Sequence, residues 1–128
     1  MDQIKIHLEF LLKETAKHVL WNTISSPAGM ENWFADRISV KDKVFTFCWS
    51  ADEVRSAEVV AIRTFSFIRF HWLDDESPRS YFEIKMCQDE LTKAFVLEIN
   101  DFTNEEEGED LKELWTSQIA KMRRVLGF

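Results

Sequence analysis

The sequence predicts an α+β fold in which a curved antiparallel sheet of six to seven strands wraps around one long C-terminal helix. Residues 110–128 carry an apolar stripe at helical spacing, and the centre of the chain is a series of short strands joined by polar turns. Two short helix patterns follow the first strand. An open sheet with one apolar face must be covered, and the last helix is the only predicted element long enough to cover it.

The first strand is predicted over residues 3–12, where apolar and polar side chains alternate as in a half-buried strand. Two short helices are then predicted between Thr15 and Phe34, separated at residues 25–27. We expect Thr15 to cap the first helix and Ser26 to cap the second, with Pro27 at the first helical position. The apolar sides of these helices are predicted to carry Val19, Leu20, Ile24, Met30, Trp33 and Phe34.

The meander that follows is predicted from alternation between turn residues. Its strands are placed at residues 37–40, 44–49, 53–62, 65–73, 81–88 and 93–102. Two of these strands have clear faces. The side predicted to face the helix holds Ile68, Phe70, Trp72, Phe82, Ile84 and Met86. The side predicted to face water holds Phe67, Arg69, His71, Tyr81, Glu83 and Lys85.

The final helix is predicted over residues 110–128, with acidic residues before its first turn, basic residues in its last turns and Gly127 as its end. Its apolar residues fall within an arc of roughly 140°. Gln118 interrupts this stripe, and an amide buried without a partner costs about 1–3 kcal/mol. We therefore expect a backbone group, a water molecule or a ligand to bond to Gln118. The stripe consists of Leu111, Leu114, Trp115, Ile119, Met122, Val125 and Leu126.

Composition predicts one intracellular domain over residues 1–128. The formal net charge of −7 argues against nucleic acid or an anionic membrane as a partner. No apolar run approaches about 18 residues, and the N-terminus does not resemble a signal peptide, so we expect a cytoplasmic protein without membrane insertion. Cys48 and Cys87 are accordingly predicted to be unbridged thiols buried in strands.

The sequence contains no recognisable catalytic, metal or cofactor motif. The three histidines lie far apart and have no ligand partner at helical or hairpin spacing, so solvated side chains are expected. Most acidic residues fall on predicted outer faces or loops, and no acidic pair lies alone on an apolar face. With three glycines, the chain has no Gly-rich phosphate loop. We therefore assign no catalytic residue, no metal ligand and no cofactor.

Four segments in order carry a resemblance to a known family: residues 20–27 (LWNTISSP), 30–34 (MENWF), 45–49 (FTFCW) and 68–72 (IRFHW). With the predicted element order, the chain resembles the START-like or Bet v 1-like (SRPBCC) superfamily. Within it, the chain is most similar to the branch named after the activator of the Hsp90 ATPase. The resemblance implies a helix-grip fold, which commonly encloses a cavity between sheet and helix.

Two functions from different classes follow from these observations. The first is non-catalytic binding of a small apolar or amphipathic molecule between sheet and helix, with Gln118 orienting its polar end. The alternative is a protein-interaction domain of the Hsp90-ATPase-activator type. Catalysis like that of some cyclase or hydrolase relatives is a weaker third hypothesis, because no acid–base set is evident. The predicted ligand-binding residues are Trp33, Phe34, Phe47, Trp49, Phe70, Trp72, Ile84, Leu97, Trp115, Gln118 and Met122.

Overall fold

The computed structural model describes residues 3–128, which form a seven-stranded antiparallel sheet, two short helices and one long helix. The strand order across the sheet is β1-β7-β6-β5-β4-β3-β2, and this architecture confirms the predicted α+β fold. The elements are β1 (Gln3–Leu11), α1 (Lys17–Ser25), α2 (Pro27–Met30), β2 (Arg37–Lys41), β3 (Val44–Ser50), β4 (Glu53–Arg63), β5 (Phe67–Trp72), β6 (Phe82–Gln88), β7 (Phe95–Asn104), a 3-10 turn (Glu105–Glu107) and α3 (Gly108–Leu126).

The sheet is a meander from β2 to β7, and β1 pairs with β7 to complete it. The turn between β2 and β3 uses Asp42 and Lys43, whose φ angles of 51° and 68° are those of a two-residue hairpin turn. The first and last strands therefore lie side by side, with His7 opposite Asn100 and Glu9 opposite Glu98. This pairing brings together His7 and Asn100, which are 93 residues apart in sequence.

Large aromatic rings from β3, β5 and β6 fill the concave side of the sheet. The ring centroids of Phe70 and Phe82 are 4.8 Å apart in a stacked pair, and Phe45 meets Phe70 edge-on at 5.0 Å. Phe47 packs against the same group and is completely buried. Aromatic pairs at these separations add stabilisation beyond the area that they bury. The interior of the sheet is thus a packed core.

Helix α3 covers this core with a narrower stripe than the sequence predicts. Trp115, Ile119 and Met122 are buried at i, i+4 and i+7, whereas Leu114 and Val125 remain 55% and 52% exposed. The buried stripe is narrow because only one side of the helix contacts the concave face of the sheet. Residues at the margins of the stripe extend beyond this contact into solvent. The predicted end is confirmed, since Gly127 adopts φ 78° after the last helical residue.

The two short helices differ in how they begin. Ala16 occupies the N-cap position of α1, so the prediction that Thr15 caps this helix is wrong. Ser26 caps α2 as predicted, because its Oγ accepts a hydrogen bond from the Gly29 amide at 2.9 Å. Helix α2 is a single turn, and Trp33 and Phe34 follow it in the turn that leads to β2.

The outer face of the sheet is less solvated than the sequence predicts. Glu83 was expected to face water, yet it is 6% exposed because neighbouring polar side chains cover it. The Arg69 guanidinium donates from Nε and Nη2 to Glu83 Oε2 at 2.9 and 2.7 Å. Asn100 Nδ2 donates to the other oxygen, Oε1, at 3.0 Å. A buried carboxylate is tolerated here because both of its oxygens are bonded.

Trp115→Ala is expected to lower the free energy of unfolding by about 3–5 kcal/mol, because it removes a buried indole and leaves a cavity in the core. Urea denaturation measures this change. Leu114→Ala, at the adjacent exposed position, is the matched control and should cost about 0.5 kcal/mol or less. Similar losses in the two variants would show that α3 does not cover the sheet through Trp115.

Candidate functional site

An open pocket of about 430 Å³ remains at one end of the core. It lies along α3 over residues 111–124, next to the turn after α2 and the ends of β3, β4 and β5. Its apolar wall consists of Trp33, Phe34, Trp49, Trp72, Leu111, Leu114 and Trp115. Its polar groups are Asp36, Glu53, Arg55, Asp101, Ser117, Gln118, Lys121 and Arg124. An aromatic wall with a few convergent polar groups is typical of small-molecule sites.

The aromatic wall is held in place by hydrogen bonds from its indoles. Trp33 Nε1 donates to the Thr23 carbonyl at 2.9 Å, and Trp49 Nε1 donates to the Phe34 carbonyl at 2.6 Å. Trp49 and Trp72 are only half-buried, and their ring centroids are 6.3 Å apart. The exposed parts of these two rings are therefore available to a ligand without movement of the core.

The structure divides the predicted ligand-binding residues into two groups. Those that line the pocket are Trp33, Phe34, Trp49, Trp72, Trp115 and Gln118. Those that lie in the closed core, with no exposed surface, are Phe47, Phe70, Ile84, Leu97 and Met122. The second group does not reach the pocket because the rings from neighbouring strands pack against one another and fill the centre of the sheet.

Gln118 has the backbone partner that the sequence analysis allowed. Its Nε2 donates to the Phe34 carbonyl at 3.1 Å, which is the same carbonyl that accepts from Trp49. One oxygen thus ties α3 and β3 to the turn after α2. Within residues 3–128, the hydrogen bond of the Gln118 side chain involves only its nitrogen. The amide oxygen consequently retains its capacity to accept a bond at the pocket wall.

Asp101 is the polar residue that the sequence analysis missed. It follows Leu97 and Ile99 at strand spacing on β7, so its side chain faces inward, and it is 7% exposed. Its Oδ2 accepts from Trp115 Nε1 at 2.8 Å, and its Oδ1 accepts from the Phe102 amide at 2.7 Å. Burial raises the pKa of Asp101 to about 6, against the lowering effect of these two hydrogen bonds.

Arg55 contributes a fixed positive charge to the wall. Its guanidinium carbon lies 3.9 Å from the centroid of the Trp72 ring, and its Nη2 forms an ion pair with Asp74 Oδ1 at 2.7 Å. The stacked and paired arrangement restrains both side chains. The same ion pair lowers the pKa of Asp74, chiefly through the side-chain hydrogen bond from Arg55. The pocket therefore has cations on two sides, from β4 and from α3.

A second cluster of polar side chains lies on the outer face of the sheet. His7, Glu9 and Glu98 bring one ligand atom each to within 4.8 Å of one another. The sequence predicts solvated histidines, and His7 is exposed, but the pairing of β1 with β7 also places Glu98 beside it. Cys87 donates its thiol to Glu98 Oε2 at 2.8 Å, and burial together with this bond raises the pKa of Cys87 to about 11. Cys87 and Cys48 are unbridged as predicted, but both are only half-buried.

Comparison with known protein families identifies the superfamily to which this chain belongs. The family model for a START-like superfamily domain matches residues 1–128. The chain belongs to the START-like superfamily. No protein with a curated description matches this START-like chain significantly. No helix within residues 3–128 is long and apolar enough to span a membrane.

Several solved structures share the START-like fold of this chain. A solution NMR structure of a protein from Bacteroides fragilis is 58% identical, with 100% of this chain and 94% of that chain covered and a TM-score of 0.69. DynU16, from the dynemicin biosynthetic locus, is 15% identical with a TM-score of 0.79, and the match covers 96% of this chain but 47% of DynU16. The Aha1 dimer from Colwellia psychrerythraea is 8% identical with a TM-score of 0.71, over 95% and 96% of the two chains. The last two show similarity of fold.

Asp101→Asn should remove a pH-dependent part of the folding stability. The pKa of Asp101 rises from 3.8 to about 6 on folding, so its contribution is complete below pH 3.8 and is lost as the pH rises through 6. At 1.36 kcal/mol per pKa unit, ionisation of Asp101 lowers the unfolding free energy of wild type by about 3 kcal/mol in total. The asparagine variant has no ionisable group at this position and so shows no such loss. Part of the loss in wild type already occurs below pH 4, where the carboxyl of the unfolded chain begins to ionise, so the unfolding free energy of the variant minus that of wild type should rise by about 2 kcal/mol from pH 4 to pH 7.

Urea titrations across this pH range measure the difference. Asp52→Asn, in the exposed turn between β3 and β4, is the control for removal of one surface carboxylate. A flat difference for Asp101→Asn would mean that this carboxyl is charged in the folded protein at the same pH as in the unfolded chain.

Proposed function

We propose that this START-like domain binds a small amphipathic molecule, without chemistry, in the pocket at the end of the core. The observation that carries this proposal is the half-buried pair Trp49 and Trp72, which presents aromatic surface to an open pocket of about 430 Å³. Ordinary ligand pockets have volumes of about 300–1,000 Å³ and are mostly apolar. The pocket is therefore large enough for one small molecule.

The polar groups suggest how the ligand is oriented. Its apolar body would lie against the indoles of Trp49 and Trp72, and its polar end would lie toward Gln118, whose amide oxygen can accept a hydrogen bond. Lys121 and Arg124 from α3 border the same pocket, so an anionic group on the ligand would meet favourable charge there. An apolar ring system with one acidic substituent fits the α3 side of the pocket, while Asp36, Glu53 and Asp101 also line the pocket and disfavour a second acidic group.

The expected affinity is modest. Burial of about 200 Å² of apolar ligand surface contributes roughly 5 kcal/mol at 25 cal/mol per Å², before the loss of ligand motion is subtracted. Micromolar binding requires about 8 kcal/mol, so the polar contacts must supply part of it. Removal of the positive charges of Lys121 and Arg124 should accordingly weaken the binding of the same ligand.

A protein partner is the second candidate, and one observation favours it. Leu114 lies on the pocket wall and is 55% exposed, so it offers apolar surface that an inserted side chain from a partner would cover. Similarity to the Aha1 dimer is a similarity of fold and names no partner for this chain. The small-molecule proposal ranks first because the pocket is concave and its polar groups converge.

Ser117→Trp should block the pocket without disturbing the core. Ser117 is exposed on α3 and lines the pocket, so an indole at this position would occupy the space of a ligand. We expect binding of 8-anilinonaphthalene-1-sulfonate, followed by its fluorescence, to weaken at least about tenfold, which corresponds to 1.4 kcal/mol. Ser117→Ala is the matched control and should bind the probe as wild type does.

Native mass spectrometry of freshly purified wild type and Ser117→Trp protein completes this test. A co-purifying molecule of a few hundred daltons that is present in wild type and absent from the tryptophan variant would support the proposal. Equal probe binding by both variants, with unchanged unfolding midpoints, would place the probe elsewhere and contradict a ligand site in this pocket.

A further inference from the structure

The cluster on the outer face of the sheet brings three potential metal ligands together. His7 Nε2 lies 3.1 Å from Glu9 Oε2 and 3.8 Å from Glu98 Oε1. Ligand atoms about 2.1 Å from a tetrahedral zinc ion stand about 3.4 Å from one another. The observed separations scatter around this value, so an ion fits between the three atoms after small side-chain movements. The cluster lies on the opposite face from the ligand pocket.

Backbone pairing explains why these side chains meet. His7 and Glu9 are two residues apart on β1 and therefore project from the same face of the sheet. Glu98 is directly opposite Glu9 on β7, which makes it the diagonal neighbour of His7. All three ligands are carried by paired strands, β1 at one edge of the sheet and β7 beside it, and such positions are more rigid than positions on loops.

A chain of hydrogen bonds fixes the histidine ring. Asn100 Nδ2 donates to Glu83 Oε1 at 3.0 Å, and this bond requires the Asn100 oxygen to point toward His7. That oxygen can only accept, so His7 Nδ1, at 2.8 Å from it, carries a proton and donates. In the neutral ring the lone pair of Nε2 then points at the two carboxylates. Metal-bound histidines commonly have such a partner on the other ring nitrogen.

Glu98 is oriented in a similar way. Cys87 donates to Glu98 Oε2 at 2.8 Å, while Oε1 is the oxygen nearer to His7. Lys85 lies opposite Glu98 on β6, yet within residues 3–128 neither Glu9 nor Glu98 forms an ion pair with a lysine or arginine. Two carboxylates and the Nε2 atom of His7 thus converge, and a metal ion can take the place of the proton that bonds Nε2 to Glu9 when the ring is charged.

We propose that His7, Glu9 and Glu98 bind one divalent transition-metal ion, with zinc as the best fit. An imidazole nitrogen with two carboxylates is a common zinc donor set, whereas Mg²⁺ and Ca²⁺ favour sites made of oxygen alone. Three protein ligands leave one position for water.

Isothermal titration of chelator-treated protein with zinc chloride at pH 7.5 tests this proposal. We expect one equivalent to bind, and His7→Ala and Glu98→Gln should each weaken binding by at least about tenfold. His18→Ala, which removes an exposed histidine on α1, is the matched control and should leave the affinity unchanged. Excess Mg²⁺ should not displace the zinc. Cobalt(II) absorption of the same proteins should report nitrogen and oxygen ligands without a thiolate band.

The outcomes separate this site from other modes of zinc binding. Absence of a stoichiometric binding event in folded wild-type protein would overturn the proposal. Wild-type affinity in His7→Ala would overturn it as well, because the ion would then bind elsewhere. A thiolate band in the cobalt spectrum that disappears in Cys87→Ser would identify a different, thiol-based site and would likewise contradict the assignment.

Discussion

The packing of Trp115 against the sheet is the interaction on which the remaining structure depends. Its indole lies 5.6 Å from the ring of Phe34 and 6.0 Å from that of Phe82, measured between centroids, and it donates to Asp101 at 2.8 Å. One side chain thereby links α3 to the turn after α2, to β6 and to β7. The open sheet has no other long element within residues 3–128 to cover its concave face. A buried tryptophan with a satisfied N–H combines a large apolar area with a fixed orientation.

The aromatic bulk of this START-like chain determines where a ligand could be held. Phe47 and Phe70 are completely buried, so the centre of the sheet is filled, and the open space remains at the end where Trp49 and Trp72 are half-buried. The same dense packing makes the inward-facing Asp101 costly to ionise and raises its pKa. Pocket position, buried charge and core stability therefore have one common cause, which is the volume of the rings on the concave face.

The sequence was sufficient to predict features that depend on local spacing. Strand alternation placed the strands, and Ser26 with Pro27 correctly marked the start of α2. The same alternation also indicates that Asp101 faces the core, because it lies two residues after Ile99 and four after Leu97 on β7. The division of the predicted lining between pocket and core could not be predicted, since it depends on how rings from different strands interdigitate. The meeting of His7 with Glu98 depends on the long-range pairing of β1 with β7, which no local pattern specifies.

The core of the domain is closed, and we propose that the pocket at its open end receives the ligand. The most direct measurement is a two-dimensional NMR titration with 8-anilinonaphthalene-1-sulfonate, in which the indole N–H signals of Trp49 and Trp115 and the methyl signals of Leu114 and Met122 are followed. We expect shifts for Trp49, Trp115 and Leu114, which border the pocket, and an unchanged methyl signal for the completely buried Met122. A shift of the Met122 methyl as large as those at the pocket would show that the ligand enters the core, in contradiction to a closed core.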